Sequence, residues 1–248
     1  HNGQTPQVIT PTGGLVRLTA SISDAHDDGI STVWQYDANL AITENSDTVI
    51  TLDPSELTVG IYSITLTATD DGEGQLSNNQ TLYLEVLEEL ITLTELDSDG
   101  DMIPDSEEGY GDNDNDGIPD FLDTIAECNV MPEEVTVQNK FLVEGEPGIC
   151  LRKGKTLANG ETGGTMLTDA DLTVSIGNDT EALNIGGFFD FIANGLPEKG
   201  QKYQVVLPQR QAVPSGAIYR KYSDTTGWSF FVEDANNQLH TAPGAMGY

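Results

Sequence analysis

Positive charge is the scarcest feature of the front of this chain. Arg17 is the only Lys or Arg in the first 139 residues, where 29 acids give a balance of −28. Such a surface repels nucleic acid and anionic lipid, so no nucleic acid is expected as a partner. Residues 140–248 hold nine bases and twelve acids, a balance of −3. Long apolar runs are also missing. No stretch approaches the roughly 18 apolar residues needed to cross a bilayer, so no membrane span is expected in this chain. Cysteine is limited to Cys128 and Cys150, with no CxxC and no Cys/His cluster, which argues against zinc. In an oxidising compartment the two can close one disulfide, worth roughly 3 kcal/mol by loop entropy; the other reading is two free buried thiols. GxSxG, HExxH and P-loop patterns are absent, and the three histidines are scattered. No catalytic constellation remains, and the chain is not expected to be an enzyme. Its opening, His-Asn-Gly-Gln-Thr-Pro, has neither basic nor apolar signal character, so a mature or excised piece of a larger protein is expected.

What is present is strand pattern and aspartate. From Leu15 the chain alternates, with Val16, Leu18, Ala20 and Ile22 on one side. Val33–Tyr36 and Asp47–Leu52 read as further strands. Gly60–Thr69 places Tyr62, Ile64, Leu66 and Ala68 inward and a row of Ser and Thr outward, and Thr81–Leu87 returns with Leu82, Leu84 and Val86 inward. Period two with β-branched residues and turn residues between predicts an antiparallel sandwich. After Cys128 the alternation resumes at Val135, Val137, Phe141 and Val143, at Leu172, Val174 and Ile176, and at 188–192, 203–207, 217–222 and 228–232. The expected fold class is therefore all-β: two antiparallel β-sandwich domains, 1–90 and 128–248, joined by an irregular Asp-rich segment, 91–127.

That segment carries the clearest chemistry. Residues 95–127 hold thirteen acids and no base, too few apolar side chains for a core; without counter-ions such a stretch stays expanded. Residues 97–108 and 112–123 repeat one pattern fifteen residues apart, with acids at loop positions 1, 3, 5, 9 and 12 and Ile-Pro-Asp at positions 7–9. Calcium takes six to eight hard oxygens, and this spacing supplies them from a tight loop. The predicted ligands of the first loop are Asp97, Asp99, Asp101, the carbonyl of Ile103, Asp105 and Glu108. Those of the second are Asp112, Asp114, Asp116, the carbonyl of Ile118, Asp120 and Asp123. Gly117 occupies position 6 of the second loop; the first has Met102 there and Gly100 two places earlier. Long flanking helices, which an EF-hand needs, are absent, and Pro104 and Pro119 lie inside the loops. The competing reading is a solvated acidic linker. Carboxylates a few ångströms apart repel by on the order of 1–4 kcal/mol per pair, and a divalent ion reverses that sign, so Ca2+ binding and ordering are expected to be coupled.

Three resemblances follow from these residues. Tyr62-Ser-Ile-Thr-Leu-Thr-Ala-Thr-Asp-Asp-Gly72, with Trp34, resembles PKD and cadherin-like bacterial surface modules, although the fuller PKD loop after the Trp is replaced by Gln-Tyr-Asp-Ala-Asn. That likeness implies an Ig-like sandwich whose turn acids Asp24, Asp27, Asp28, Asp70 and Asp71 either meet at one end to bind ions or stay solvated. The aspartate loops resemble thrombospondin type-3 repeats, which implies shared ions and Glu107, Asn113 and Asn115 as extra ligands. Gly186–Leu196, Val205–Pro208, Ala217–Tyr222 and Gly227–Ala235 together resemble the choice-of-anchor U domain of Gram-negative surface proteins. That family implies a chain continuing beyond Tyr248, and an open sheet edge would invite self-association by strand addition.

The resemblances together imply an extracellular or cell-surface location in a Gram-negative bacterium. The expected function is a non-catalytic, calcium-stabilised surface module for adhesion, display or surface-filament assembly. The alternative is an accessory region of a secreted hydrolase that binds a surface glycan or protein. Trp228, Phe230, Tyr219 and Tyr222 are the candidate sugar-stacking face, with core packing as their other reading.

Overall fold

The computed structural model describes residues 8–26, 28–136, 141–157, 162–198 and 200–244. Strands account for 32% of the chain and helices for 7%, which places it in the all-β class. Val137 and Asp27 lie outside the described residues. The chain divides into two compact units: His1–Asn113 with Gly117–Thr124, and Asp114–Asp116 with Ile125–Tyr248. Among the described residues no helix is long and apolar enough to cross a membrane.

The first unit contains β1 (Val8–Ile9), β2 (Val16–Thr19), β3 (Ile30–Tyr36), β4 (Ala41–Asn45), β5 (Val49–Asp53), β6 (Gly60–Asp70) and β7 (Ser77–Val86). They form a four-stranded sheet in the order β1-β7-β6-β3 and a three-stranded sheet in the order β2-β5-β4. All pairs are antiparallel except β1 with β7. Alternation along β6 and β7 sends Tyr62, Ile64, Leu84 and Val86 into one apolar cluster with Leu18, Ile50 and Leu52 of the other sheet. Each such buried side chain contributes roughly 1.5–3 kcal/mol. On the opposite face of β6 and β7, Thr65 and Thr81 pair hydroxyls at 2.8 Å, the side-chain ladder expected of a solvated sheet face. Trp34 packs against the cluster and donates its indole N–H to the carbonyl of Ser46 at 2.8 Å. Strand β4 has no counterpart in the sequence reading. Only Ile42 of its five residues packs on the core, and a register shift between Ile42 and Glu44 breaks its alternation.

Within the acidic segment the chain makes one short helical turn, α1 (Asp105–Glu108), and a 3-10 turn over Asp120–Leu122. Each follows a proline, whose fixed φ suits the start of a helical turn.

The second unit has shorter strands: β8 (Val130–Pro132), β9 (Leu142–Gly145), β10 (Cys150–Lys153), β11 (Met166–Leu167), β12 (Phe188–Phe189), β13 (Phe191–Asn194), β14 (Val205–Val206), β15 (Arg220–Ser223) and β16 (Gly227–Phe230). They pair as β14-β9-β8, β10-β13, β11-β12 and β15-β16. Cys128 and Cys150 are joined in a disulfide, and Leu151 donates its N–H to the Cys128 carbonyl at 2.7 Å. Arg210 and Arg220 are paired with acids. Arg210 bonds Glu133 and Glu134, and the buried Arg220 bonds Asp179 and Glu181. Burial pushes the Glu133 carboxyl up, and the bond from Arg210 opposes that shift.

One expected strand is a helix. Leu172, Val174 and Ile176 lie on or just after α2 (Asp169–Val174), not on a strand. Thr168 and Asp171 form a reciprocal capping box, each side chain accepting from the other's backbone N–H, and this local pairing outweighs a three-residue alternation. The helical turn puts Leu172 and Ile176 together in the core with Phe188 and Trp228, and leaves Val174 83% exposed.

Candidate metal centre

The two loops fold alike, position by position. At position 9, Asp105 and Asp120 donate their N–H groups to the carbonyls of Leu96 and Gly111, both at 2.7 Å, closing each loop on itself. Their carboxylates reach back to position 2, accepting from the N–H of Ser98 at 2.8 Å and of Asn113 at 2.9 Å. The position-1 acids accept from the N–H at position 6, Met102 to Asp97 at 3.2 Å and Gly117 to Asp112 at 3.0 Å. The position-3 acids accept from position 5, Asp101 to Asp99 at 3.2 Å and Asp116 to Asp114 at 3.1 Å. Positions 4 and 6 are left-handed in both loops: Gly100 (φ 88) and Met102 (φ 80) in the first, Asn115 (φ 66) and Gly117 (φ 93) in the second. The swapped glycine of the first loop therefore does not alter the turn. Met102 adopts it at a steric cost of about 1 kcal/mol.

This backbone brings the acids at positions 1, 3 and 5 together. One carboxylate oxygen from each of Asp97, Asp99 and Asp101 lies within 4.8 Å of the others, and the same holds for Asp112, Asp114 and Asp116. Both trios are able to hold a metal ion.

The remaining predicted ligands divide. Asp105 is buried, and its two oxygens accept from the N–H and hydroxyl of Ser98 at 2.8 Å each. It holds the loop closed. Asp120 does the same for the second loop through Asn113, and Asp123 ends the 3-10 turn by donating its N–H to the Asp120 carbonyl. The N–H of Ile103 donates to Asp101 at 2.7 Å, while the side chain of Ile118 is buried. Glu108, at position 12, lies on α1 one turn beyond Asp105.

The first loop gathers buried carboxylates of like charge. Asp99 is 8% exposed, and its Oδ2 is buried with no hydrogen-bond partner. Glu108 Oε2 is likewise buried and unpartnered. Burial, with some repulsion from Asp101 and Asp97, pushes the Asp99 carboxyl up. Glu108 is pushed up to about 7, first by burial and then by Asp99, Asp101, Asp105 and Asp120. Unpaired buried carboxylate oxygens are costly in native proteins. An all-oxygen set of this kind fits a hard divalent cation.

A third trio, Asp24, His26 and Asp28, lies at the turn before β3. Asp71 accepts from the N–H of Gly29 at 2.7 Å, so the β6–β7 turn meets it. The Asp24 carboxyl is held down by the N–H groups of His26 and Asp28, and Asp28 is pushed up by burial, then by Asp24, Asp70 and Asp71. His26 and Asp28 are exposed, and among the described residues no buried orphan oxygen belongs to this trio.

Of the aromatic candidates, Trp228 packs with Phe188 and Tyr222 and donates its indole N–H to the Gly177 carbonyl at 2.9 Å, which is core packing. Phe230 and Tyr219 stay exposed. Sequence reasoning missed Ser98, whose two donors fix Asp105, and Gly111. A Cβ at Gly111 would lie 2.3 Å from Asp120 Oδ2, whereas the first loop closes through Leu96 at the same position.

Compared with family models, curated proteins and solved structures, the chain matches none.

Proposed function

We propose that the two aspartate loops are calcium sites and that the chain is a non-catalytic, calcium-stabilised extracellular surface module serving adhesion, display or surface-filament assembly. The observation that carries the metal reading is the pair of buried, unpartnered oxygens on Asp99 and Glu108, set among three further acids of the same loop. Asp97, Asp99, Asp101 and Glu108 would hold the ion of the first loop, and Asp112, Asp114 and Asp116 that of the second. Bound calcium supplies the positive charge that the first 139 residues lack. The surface role is supported by the extreme acidity, the disulfide and the β-rich architecture, and by the likeness to thrombospondin type-3 repeats and surface modules.

Isothermal titration of the whole chain with Ca2+ tests the reading. Uptake at or below millimolar concentration is expected, with the first-loop component lost in the Asp99→Asn/Glu108→Gln double variant. Absence of uptake at millimolar Ca2+ overturns it.

A further inference from the structure

The two loops share a backbone but not their support. In the second unit, Arg152 donates from Nη1 to the carbonyl of Asn115 at 3.1 Å, and the backbone N–H of Lys153 donates to the carbonyl of Asp116 at 2.7 Å. Both residues end β10, and both are buried. Their targets are consecutive carbonyls at loop positions 4 and 5. Asn115 is the left-handed, non-glycine residue of this loop, so the bond fixes the peptide that most needs outside support. The strand is itself pinned at its start by the Cys128–Cys150 disulfide and by the bond from Leu151 to the Cys128 carbonyl. In the first loop the equivalent carbonyls belong to Gly100 and Asp101. Among the described residues no hydrogen bond reaches either of them.

We propose that β10, through Arg152 and the Lys153 amide, is a metal-independent clamp that keeps residues 114–116 in their binding conformation without an ion, whereas the first loop, held only by its own internal bonds, opens more readily until the ion is bound. The second loop is thereby a preformed site and the first an ion-operated switch. The inference rests on the metal reading above for the word site; the clamp itself is made of protein hydrogen bonds that involve no ion. Arg152 is a positioning residue. Its charge does not attract the cation, and its contribution is to remove the ordering cost from binding at the second loop.

Hydrogen exchange on the full chain in excess EDTA decides the matter, followed on fragments covering 96–103 and 111–118. The second fragment is expected to exchange at least tenfold more slowly than the first, and Ca2+ is expected to slow mainly the first. Arg152→Met should raise exchange of the second fragment in EDTA about tenfold, and Arg152→Lys should restore part of the protection. The fluorescence of Trp228, compared in a Trp34→Phe background, reports whether the second unit stays folded in each variant. Equal exchange of the two fragments in EDTA overturns the clamp, as does an Arg152→Met chain that is folded and unchanged at 111–118. If Arg152→Met does not fold, the comparison of the two wild-type fragments still decides. A chain that takes up no Ca2+ by titration but keeps fragment 111–118 protected sinks the function and leaves the clamp standing.

Discussion

The first and second acidic loops are one sequence pattern in two surroundings. Their loop-closing hydrogen bonds at positions 1, 2, 3, 5, 6 and 9 match, yet Ile103 of the first is 43% exposed while Ile118 of the second is 1% exposed. Position 10 sharpens the contrast: Ser106 is exposed, whereas Phe121 is buried and meets the Tyr110 ring edge-on at 5.1 Å. Spacing of acids fixes what a loop can bind. The apolar residues between the acids add to the β10 clamp in deciding whether the loop holds its shape before the ion arrives.

The largest expected effect breaks that contrast directly. Phe121→Ala removes a buried ring from the second loop and should cost about 3 kcal/mol or more of stability. Ser106→Ala, at the matching position, should cost under about 0.5 kcal/mol, as exposed substitutions do. Urea unfolding in EDTA measures both, and equal losses would show that packing does not separate the loops. Next in size, Glu108→Gln removes one of the two orphan oxygen bearers of the first loop. Its calcium affinity should fall at least tenfold, equivalent to about 1.4 kcal/mol, with the second-loop affinity unchanged in the same titration. A uniform fall in both would join the two loops into one site.

Much of this was legible in the sequence, for identifiable reasons. The repeat at fifteen residues places acids at positions 1, 3 and 5, and backbone bonds within each loop then gather them. The alternation of β6 and β7 was equally plain because ten or so residues obey it in succession. The short strands of the second unit were harder. Leu172, Val174 and Ile176 satisfy a strand period over three residues and a helix period over five, and only the Thr168/Asp171 capping box separates the two. Position 9 carries a structural role that the spacing does not show. Asp105 fits a ligand by spacing, but its oxygens serve Ser98, and a serine at position 2 carries no signal in a calcium-loop pattern. The hold of Arg152 on Asn115 spans 37 residues and had no sequence trace.

The pH dependence follows from Glu108. Its folded-state value of about 7 lies above the ordinary 4.5, so between these values the fold holds a proton that the unfolded chain has released. That contribution to stability is fully present below pH 4.5 and is lost as pH rises through 7. Calcium competes with the same proton, so affinity at the first loop should rise from pH 5 to pH 7.5 and level off. Titration at pH 6.5 in buffers of different ionisation heat should show proton release, and Glu108→Gln should abolish most of it. Proton release that survives in this variant would move the effect to Asp99.

The smallest effect tests the backbone alone. Gly117 and Met102 hold the same left-handed position, at φ 93 and 80, but only methionine has a Cβ that crowds the following carbonyl there. Met102 is 89% exposed, so its side chain has little packing to lose. Met102→Gly should therefore relieve about 1 kcal/mol of strain against a smaller entropic loss in the unfolded chain, leaving a net gain of a few tenths of a kcal/mol. The gain should appear as tighter calcium uptake by the first loop, because the relieved conformation is the bound one. The reciprocal change, Gly117→Met, should cost more than Met102→Gly gains, since position 117 is buried. Calcium-dependent melting of the two variants beside the wild type measures this asymmetry. Equal and opposite shifts would mean that backbone strain alone, and not the packing around the second loop, sets the difference between them.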